Sequence, residues 1–337
     1  MSELRLRRLL AGATAILAAA AATTGAPRAQ APTTGELLAR YQPVVYAYAS
    51  DWTPVAVEDF LAGAALERRS AGRWRVLRVG PSPAQLGDAS GTVRLDLRGC
   101  TPAVDLDSCY VERARGAAQA PTVYGRAVRR PSAGGGTSVI LQYWLLYPVN
   151  DWRNPIRTPA IWQMHEGDWE LVSVEVGADG SPSAVAASQH ALGVWRPWPN
   201  VRKRGTHPVV YSALGSHAVY FLPGFHGSAG APHRIPPRFS GVPVAEPDFT
   251  AAQASWGPFG VAATAARVVD VSAGPASVPW LRFAGPWGDG NYVLLRSGSS
   301  AAFIHVRVGD SPPGPAFHGA WRNPAEPFRR WPADDGH

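Results

Sequence analysis

Val139-Ile140-Leu141-Gln142-Tyr143-Trp144-Leu145-Leu146-Tyr147 carries one polar residue, Gln142, in nine positions. Side chains alternate between the two faces of a strand. A run apolar at both parities therefore has no face for water, and it predicts a central strand covered on both sides. Ala133-Gly134-Gly135-Gly136 before it reads as a turn. Working outward, short runs bounded by turn residues predict further strands over Pro43–Ala49, Trp74–Val79, Thr92–Leu97 and Thr122–Val128. Downstream the same signal recurs over Asp168–Val176, Ser183–Gln189, His207–Ala213, Ala266–Val271, Tyr292–Arg296 and Ala301–Val308. One helix is expected near the N-terminus. Thr53 would cap it, Pro54 suits its first turn, and Val57, Phe60, Leu61, Ala64 and Ala65 would form its apolar stripe. Gly224 to Phe249 reads as a long surface loop. The class is all-β, a single-domain β-sandwich with long loops and a short N-terminal helix.

The segment His165-Glu166-Gly167-Asp168-Trp169-Glu170 opens the next predicted strand. Period two puts Asp168 and Glu170 on one face with Val172, Val174 and Val176, and Trp169 and Leu171 on the other. Two carboxylates then share a face whose continuation is buried, and desolvating them uncompensated is costly. A cation would resolve this, and so would a salt-bridge knot with a buried arginine. Gly167 lets the chain turn sharply after His165, and Asn150-Asp151 end the preceding central strand. If the two strands are neighbours, one mouth of the sheet gathers Asp151, His165, Asp168 and Glu170. That donor set suits a hard divalent ion, calcium or magnesium first, with manganese also compatible.

The N-terminus shows Arg5, Arg7 and Arg8, an apolar run from Leu9 to Ala22, and the small-x-small triplet Ala29-Gln30-Ala31. This pattern predicts a signal peptide over residues 1–31 and a mature domain over 32–337, exported to the periplasm or the medium. The apolar run is short for a span, which needs about 20 residues, so no membrane-spanning segment is expected in the mature chain. The whole chain has 32 basic and 25 acidic side chains. Lys203 is the only lysine. No basic stripe interleaved with aromatics stands out, which argues against nucleic acid as a partner. In an oxidising compartment Cys100 and Cys109 are expected to pair.

Several chemistries are excluded by what the chain lacks. There is no Gly-x-Ser-x-Gly elbow, and Lys203 is followed by Arg204, so no phosphate-binding P-loop is possible. His165-Glu166 begins like the zinc-protease motif, but Trp169 takes the second histidine position. No dinucleotide fingerprint stands after a strand.

Tyr143-Trp144-Leu145-Leu146-Tyr147-Pro148-Val149-Asn150-Asp151, His165 to Glu170, Ser188-Gln189-His190, His207-Pro208-Val209-Val210-Tyr211 and Gly215-Ser216-His217-Ala218 resemble the family named for vacuolar protein sorting-associated protein 62. Pro43 to Leu66, Gly285-Pro286-Trp287-Gly288 and Gly314-Pro315 extend the resemblance to both ends of the mature chain. That family's biochemical role is unsettled, so the resemblance implies a domain type and little else. A more distant similarity is to the secreted necrosis-inducing proteins of plant pathogens. It implies a β-sandwich whose divalent cation is held at the positions of Asp151, His165, Asp168 and Glu170. In those proteins the cation serves attack on membranes through surface glycolipids. Here Gly167 stands where that family has a second histidine and Met164 where it has a glycine, so toxicity and glycolipid recognition do not carry over.

Asn150, Glu166, Trp169, His190 and His217 are candidates for a ligand cleft beside the acidic cluster, although the histidines are equally readable as hydrogen-bonded loop residues. Trp195 and Trp198 read either as a sugar- or membrane-facing aromatic loop or as loop packing. Gly288-Asp289-Gly290-Asn291 invites a calcium reading and is better read as a turn. The expectation is an exported, effector-like β-sandwich that binds a divalent cation and, through it, a glycan or lipid head group at a membrane surface. The alternatives are a metal-dependent hydrolase of phosphoesters or glycans, with His165 or Glu166 as acid or base, and a structural envelope domain without metal.

Overall fold

The computed structural model describes residues 32–48, 51–100, 109–110, 112, 121–132, 135–153, 161–190, 192–226, 233–234, 243–244, 248–250, 258–259, 267–296 and 303–334. The expected leader and its cleavage site lie outside these residues, as does the start of the Ala133-Gly134 turn. All elements below belong to one compact unit, Thr33–His337.

The described elements begin with α1 (Thr34–Arg40), β1 (Val44–Tyr46), α2 (Val57–Gly63), β2 (Ala64–Ser70), β3 (Arg73–Val79), α3 (Pro83–Gly87) and β4 (Val93–Leu97). The long strands come next: β5 (Thr122–Pro131), β6 (Thr137–Arg153), β7 (Ile161–Val176), β8 (Pro182–Gln189) and β9 (Leu192–Pro197). After them stand β10 (Lys203–Arg204), β11 (His207–Ser212), β12 (Val219–Tyr220), β13 (Gly224–His226), β14 (His233–Arg234), β15 (Pro243–Val244), β16 (Asp248–Thr250) and β17 (Pro258–Phe259). The chain closes with β18 (Arg267–Asp270), β19 (Asn291–Arg296), β20 (Phe303–Gly309), α4 (Gly319–Arg322) and α5 (Glu326–Arg330). The class is all-β, with short helices only.

An eight-stranded sheet runs β18-β5-β6-β7-β19-β20, with β8 also on β7 and β9 beyond β8. Leu141, Tyr143, Leu145 and Tyr147 of β6 pack with Val172 and Val174 of β7 against Val45 and Val210 of the smaller β10-β11-β1-β17 sheet. Trp144 and Leu146 face the other way, into Phe60, Leu61, Leu95 and Trp287 beneath α2 and the β3-β2-β4 sheet. The large sheet is thus covered on both faces, which is why its central strand shows no polar alternation.

The N-terminal helix corrects one expectation. It starts at Val57, not Pro54, and its N-cap Ala56 makes no side-chain cap. Val55 N donates to Leu146 O at 2.8 Å, so Pro54–Ala56 is held along β6. The free Val57 N–H is taken by the Tyr124 hydroxyl at 2.7 Å. Ala64 and Ala65 leave the helix and enter β2. The expected single loop from Gly224 to Phe249 contains the β13–β16 ribbon and β14–β15. Trp198 packs rather than projects, against the core beside β8 and edge-on to Tyr41 at 5.9 Å, and Trp195 is half-buried.

What positions the site is the divided edge of β7. Along one edge β7 pairs with β6 from Val176 down to Trp162. On the other edge β8 takes Val172–Val176 and β19 takes Ile161–His165. Glu166 to Leu171 lie in the fork between those two strands.

Candidate functional site

Gly167 sits in the fork with φ of +62°, a conformation that glycine reaches without a Cβ penalty. It switches the faces of β7. Before it, Met164 and Glu166 point toward the α2 side: Met164 belongs to that core and Glu166 Oε2 accepts from Leu97 N at 2.9 Å. After it, Trp169 and Leu171 take that side, and Asp168 and Glu170 turn to the opposite one. His165, which faces away from Met164, therefore shares a side with Asp168 despite an odd spacing. Its Nε2 lies 3.8 Å from Asp168 Oδ1.

These residues open onto a cavity of about 290 Å³, whose wall includes Asn150, His165, Asp168, Glu170, His190 and His318. Trp169, Trp152, Gln163, Ser216, Asn291 and Pro312 also line it, and among the described residues no arginine or lysine does. Glu170 is buried and touches Ser188 Oγ, which in turn accepts from Leu171 N at 2.7 Å. Burial first, and then the Asp168 carboxylate, push the Glu170 carboxyl well above its ordinary range.

Behind the cavity lies a buried charge relay. His217 Nδ1 is 2.9 Å from Asp168 Oδ2 and its Nε2 is 3.5 Å from Asp51 Oδ1, the latter an ion-pair distance without hydrogen-bond geometry. The ring is fully buried and stacks on Tyr147 at 3.9 Å and 3°. Burial alone would lower the His217 pKa, but Asp51 and Asp168 outweigh it and raise it to about 9. The raised pKa favours the imidazolium at neutral pH, so His217 takes the place of the buried arginine that was one of the two expected ways of compensating the carboxylates. Asp51 Oδ2 also accepts from Gly215 N at 3.0 Å, and Asp151 N donates to Gly215 O at 2.8 Å. A Cβ on Gly215 would meet Asp151 O at 2.2 Å. The glycine thus lets the Gly215–His217 loop lie against the end of β6.

A second relay fixes the rim. Asp248 is buried and takes His190 Nε2 at 2.8 Å, the Ser216 hydroxyl at 2.6 Å and the Tyr220 hydroxyl at 2.6 Å. His318 Nε2 meets Pro313 O at 2.9 Å. Nε2 must carry the proton to donate there, which leaves Nδ1 as the acceptor atom of the ring. Burial lowers the His318 pKa and favours that neutral form.

The sequence-derived residues are only partly brought together. His165, Asp168 and Glu170 share the cavity with Asn150, Trp169 and His190. His217 lies behind the wall. Glu166 stands on the opposite face of β7, where burial and then Asp289 and Asp96 raise its pKa. Asp151 pairs with Met164 in register, so its side chain belongs to the Met164 side of the sheet, away from His165. Among the described residues, no three His, Cys, Asp or Glu side chains are already disposed to hold a metal ion. Asp51, Asp248 and His318 were not singled out from sequence. Asp51 stands just after the first predicted strand, but Asp248 falls in a stretch read as loop and His318 lies beyond the last predicted strand, Ala301–Val308. Asp289 of the Gly288–Asn291 turn accepts from Tyr292 OH at 2.9 Å.

Cys100 and Cys109 are joined, with Cα atoms 5.5 Å apart. Among the described residues no helix is long and apolar enough to cross a membrane. No protein-family model matches the chain, and no curated protein does. A solved structure described as "Toxin fold as basis for microbial attack and plant defense" is 18% identical over 57% of this chain and 71% of its own, with a TM-score of 0.28. This is a distant similarity, and the chain's function rests on its own residues.

Proposed function

We propose that the cavity at the fork of β7 binds a divalent cation, calcium or magnesium, and presents it to a polar ligand such as a glycan or lipid head group. The carrying observation is the cavity wall itself: two buried carboxylates, Asp168 and Glu170, and three imidazoles, with no arginine or lysine among the described lining residues. His217 bridges Asp51 and Asp168 from behind, one positive charge against two negative ones, and Glu170 is left without a cationic partner of its own among the groups that shift it. The donor types fit a hard or borderline ion. The 3.8 Å between His165 Nε2 and Asp168 Oδ1 is too long for a hydrogen bond, and comparable to the span between two atoms that each bond an ion at about 2.1–2.4 Å.

His165, Asp168 and Glu170 would hold the ion, with Glu170 released from Ser188, and His318 offers a fourth donor through Nδ1. The ion would supply a fixed positive charge for an anionic or polyol ligand. The chain's own part is to orient: His217 holds Asp168, Asp248 holds His190 and Ser216, and Trp169 forms an apolar wall. Within the same reading stand the likeness to the vacuolar protein sorting-associated protein 62 family and an exported setting.

Calorimetric titration of calcium and of magnesium into chelator-stripped protein tests this. One saturable site is expected, weakened at least tenfold in Glu170→Gln, with affinity rising with pH because Glu170 must lose its proton to bind. Absence of binding for both ions, or an unchanged Glu170→Gln, would refute it. Turnover of phosphoester or glycan substrates that depends on the bound ion would convert the binding module into a hydrolase.

A further inference from the structure

The hairpin β2–β3 lies apart from the cavity and has a chemistry of its own. Within residues 64–80 the basic side chains are Arg68, Arg69, Arg73, Arg75 and Arg78, all exposed. The single acidic side chain, Glu67, is buried and held by Arg94 at 2.8 Å. Register puts Arg68 directly opposite Arg75 and opposite Val93, and it puts Arg78 opposite Leu66. Cross-strand partners share a face, so the arginines extend the buried Leu66–Leu95 face past the end of the core. Like charges placed opposite each other weaken a sheet, so folding gives no reason for this pairing.

Apolar groups accompany them. Trp74 and Val76 occupy the other face, and a register shift between Leu66 and Glu67 sets Leu77 in a bulge. Val76 is 56%, Leu77 45% and Val79 52% exposed, half of the large exposed hydrophobic side chains of the described residues. Among the described residues β3 pairs only with β2, so no described strand covers its outer edge. Charge along an open edge is a common protection against edge-to-edge pairing, but protection does not call for three exposed aliphatic side chains among the charges. Arginine beside exposed aliphatic and tryptophan groups suits an interface that is anionic at its surface and apolar just beneath.

We propose that the β2–β3 hairpin docks the protein, β3 edge first so that the arginine face and the aliphatic face both meet the lipid, onto a bilayer surface containing anionic phospholipid. Charge complementarity selects the lipid, and Val76, Leu77 and Val79 enter its head-group boundary. This rests on exposure and register alone and is independent of the cation cavity.

Co-sedimentation of the full chain with vesicles of phosphatidylcholine, with and without phosphatidylglycerol, tests it. Wild type should pellet with the phosphatidylglycerol vesicles and be released as salt rises. Arg75→Glu/Arg78→Glu should lose roughly tenfold or more in partitioning, and the milder Arg75→Gln/Arg78→Gln should fall between. Val76→Ser/Leu77→Ser should bind several-fold more weakly with the salt dependence retained. All variants differ from wild type only within β3, so differences read the hairpin, and circular dichroism should show the wild-type β signal. Indifference of wild type to phosphatidylglycerol, or wild-type partitioning of both arginine variants, would overturn the proposal. Wild-type partitioning of Val76→Ser/Leu77→Ser would overturn it too, in favour of a soluble polyanion or an acidic peptide on the strand edge.

Discussion

His217 decides the electrostatics of the site. Its neighbour Asp168 was legible as chemistry in the sequence, yet the role of His217 was not, because Asp51 and Asp168 reach it from distant parts of the chain. It also holds a left-handed backbone with φ of +57°, a conformation that non-glycine residues adopt at a cost. The pKa of about 9 against an ordinary 6.5 fixes the sign of its contribution. Stability from His217 is fully present below pH 6.5 and is lost as pH rises through about 9. In the presence of chelator, denaturant unfolding of wild type should show that decline. His217→Gln should lose about 3–5 kcal/mol, since it leaves two buried carboxylates unpaired, and the pH slope should flatten. Gly167 makes a second test at this scale. A Cβ there would lie 2.3 Å from Trp287 O, at a positive φ. Gly167→Ala should therefore cost more than about 2 kcal/mol, read as a drop in melting temperature. A special backbone at Gly167 was legible, but the strand runs through it from Ile161 to Val176 rather than starting after a sharp turn; the shared side of Asp168 and Glu170 was legible too. The side taken by Asp151 was not, because it depends on the register with Met164.

At the scale of elements, β6 and the C-terminal half of β7 could be read directly, since burial on both faces leaves an unbroken apolar run in β6 and Val172-Ser173-Val174-Glu175-Val176 keeps a period-two alternation in β7. Boundaries failed where a distant group replaced a local one. The start of α2 is capped by Tyr124 rather than by Thr53, and no local pattern reports a hydroxyl 67 residues away. β2 was hidden because Ala64 and Ala65 continue the helical stripe before turning into a strand. α1 and α3, by contrast, carry complete capping boxes, Thr33 with Glu36 and Ser82 with Gln85, and their signatures were present in the sequence. The Cys100–Cys109 link closes a short loop, its cysteines nine residues apart. Replacing both cysteines by serine should cost about 2–3 kcal/mol, seen as a lower melting temperature, while far-UV circular dichroism keeps its β character. An unchanged melting temperature would mean that the loop is ordered without the link.

Across the whole molecule, one sheet covered on both faces explains the composition of its strands, and the fork of β7 explains where a cavity opens in it. The fork was not legible, because it arises from β8 and β19, whose segments lie far apart in the chain. If the cavity binds the proposed ion, that ion should stabilise the fold by mass action, about 2.7 kcal/mol at a hundredfold excess over the dissociation constant. The most direct test is thermal unfolding of wild type, Asp168→Asn and Glu170→Gln, each with added calcium or magnesium and with chelator. The predicted result is a wild-type melting temperature that rises with the cation and falls with chelator, and variants that keep the β fold while losing most of that response. If chelator leaves wild type unmoved, and the variants melt equally early with and without cation, then His217 alone satisfies the carboxylates and the cation reading is wrong.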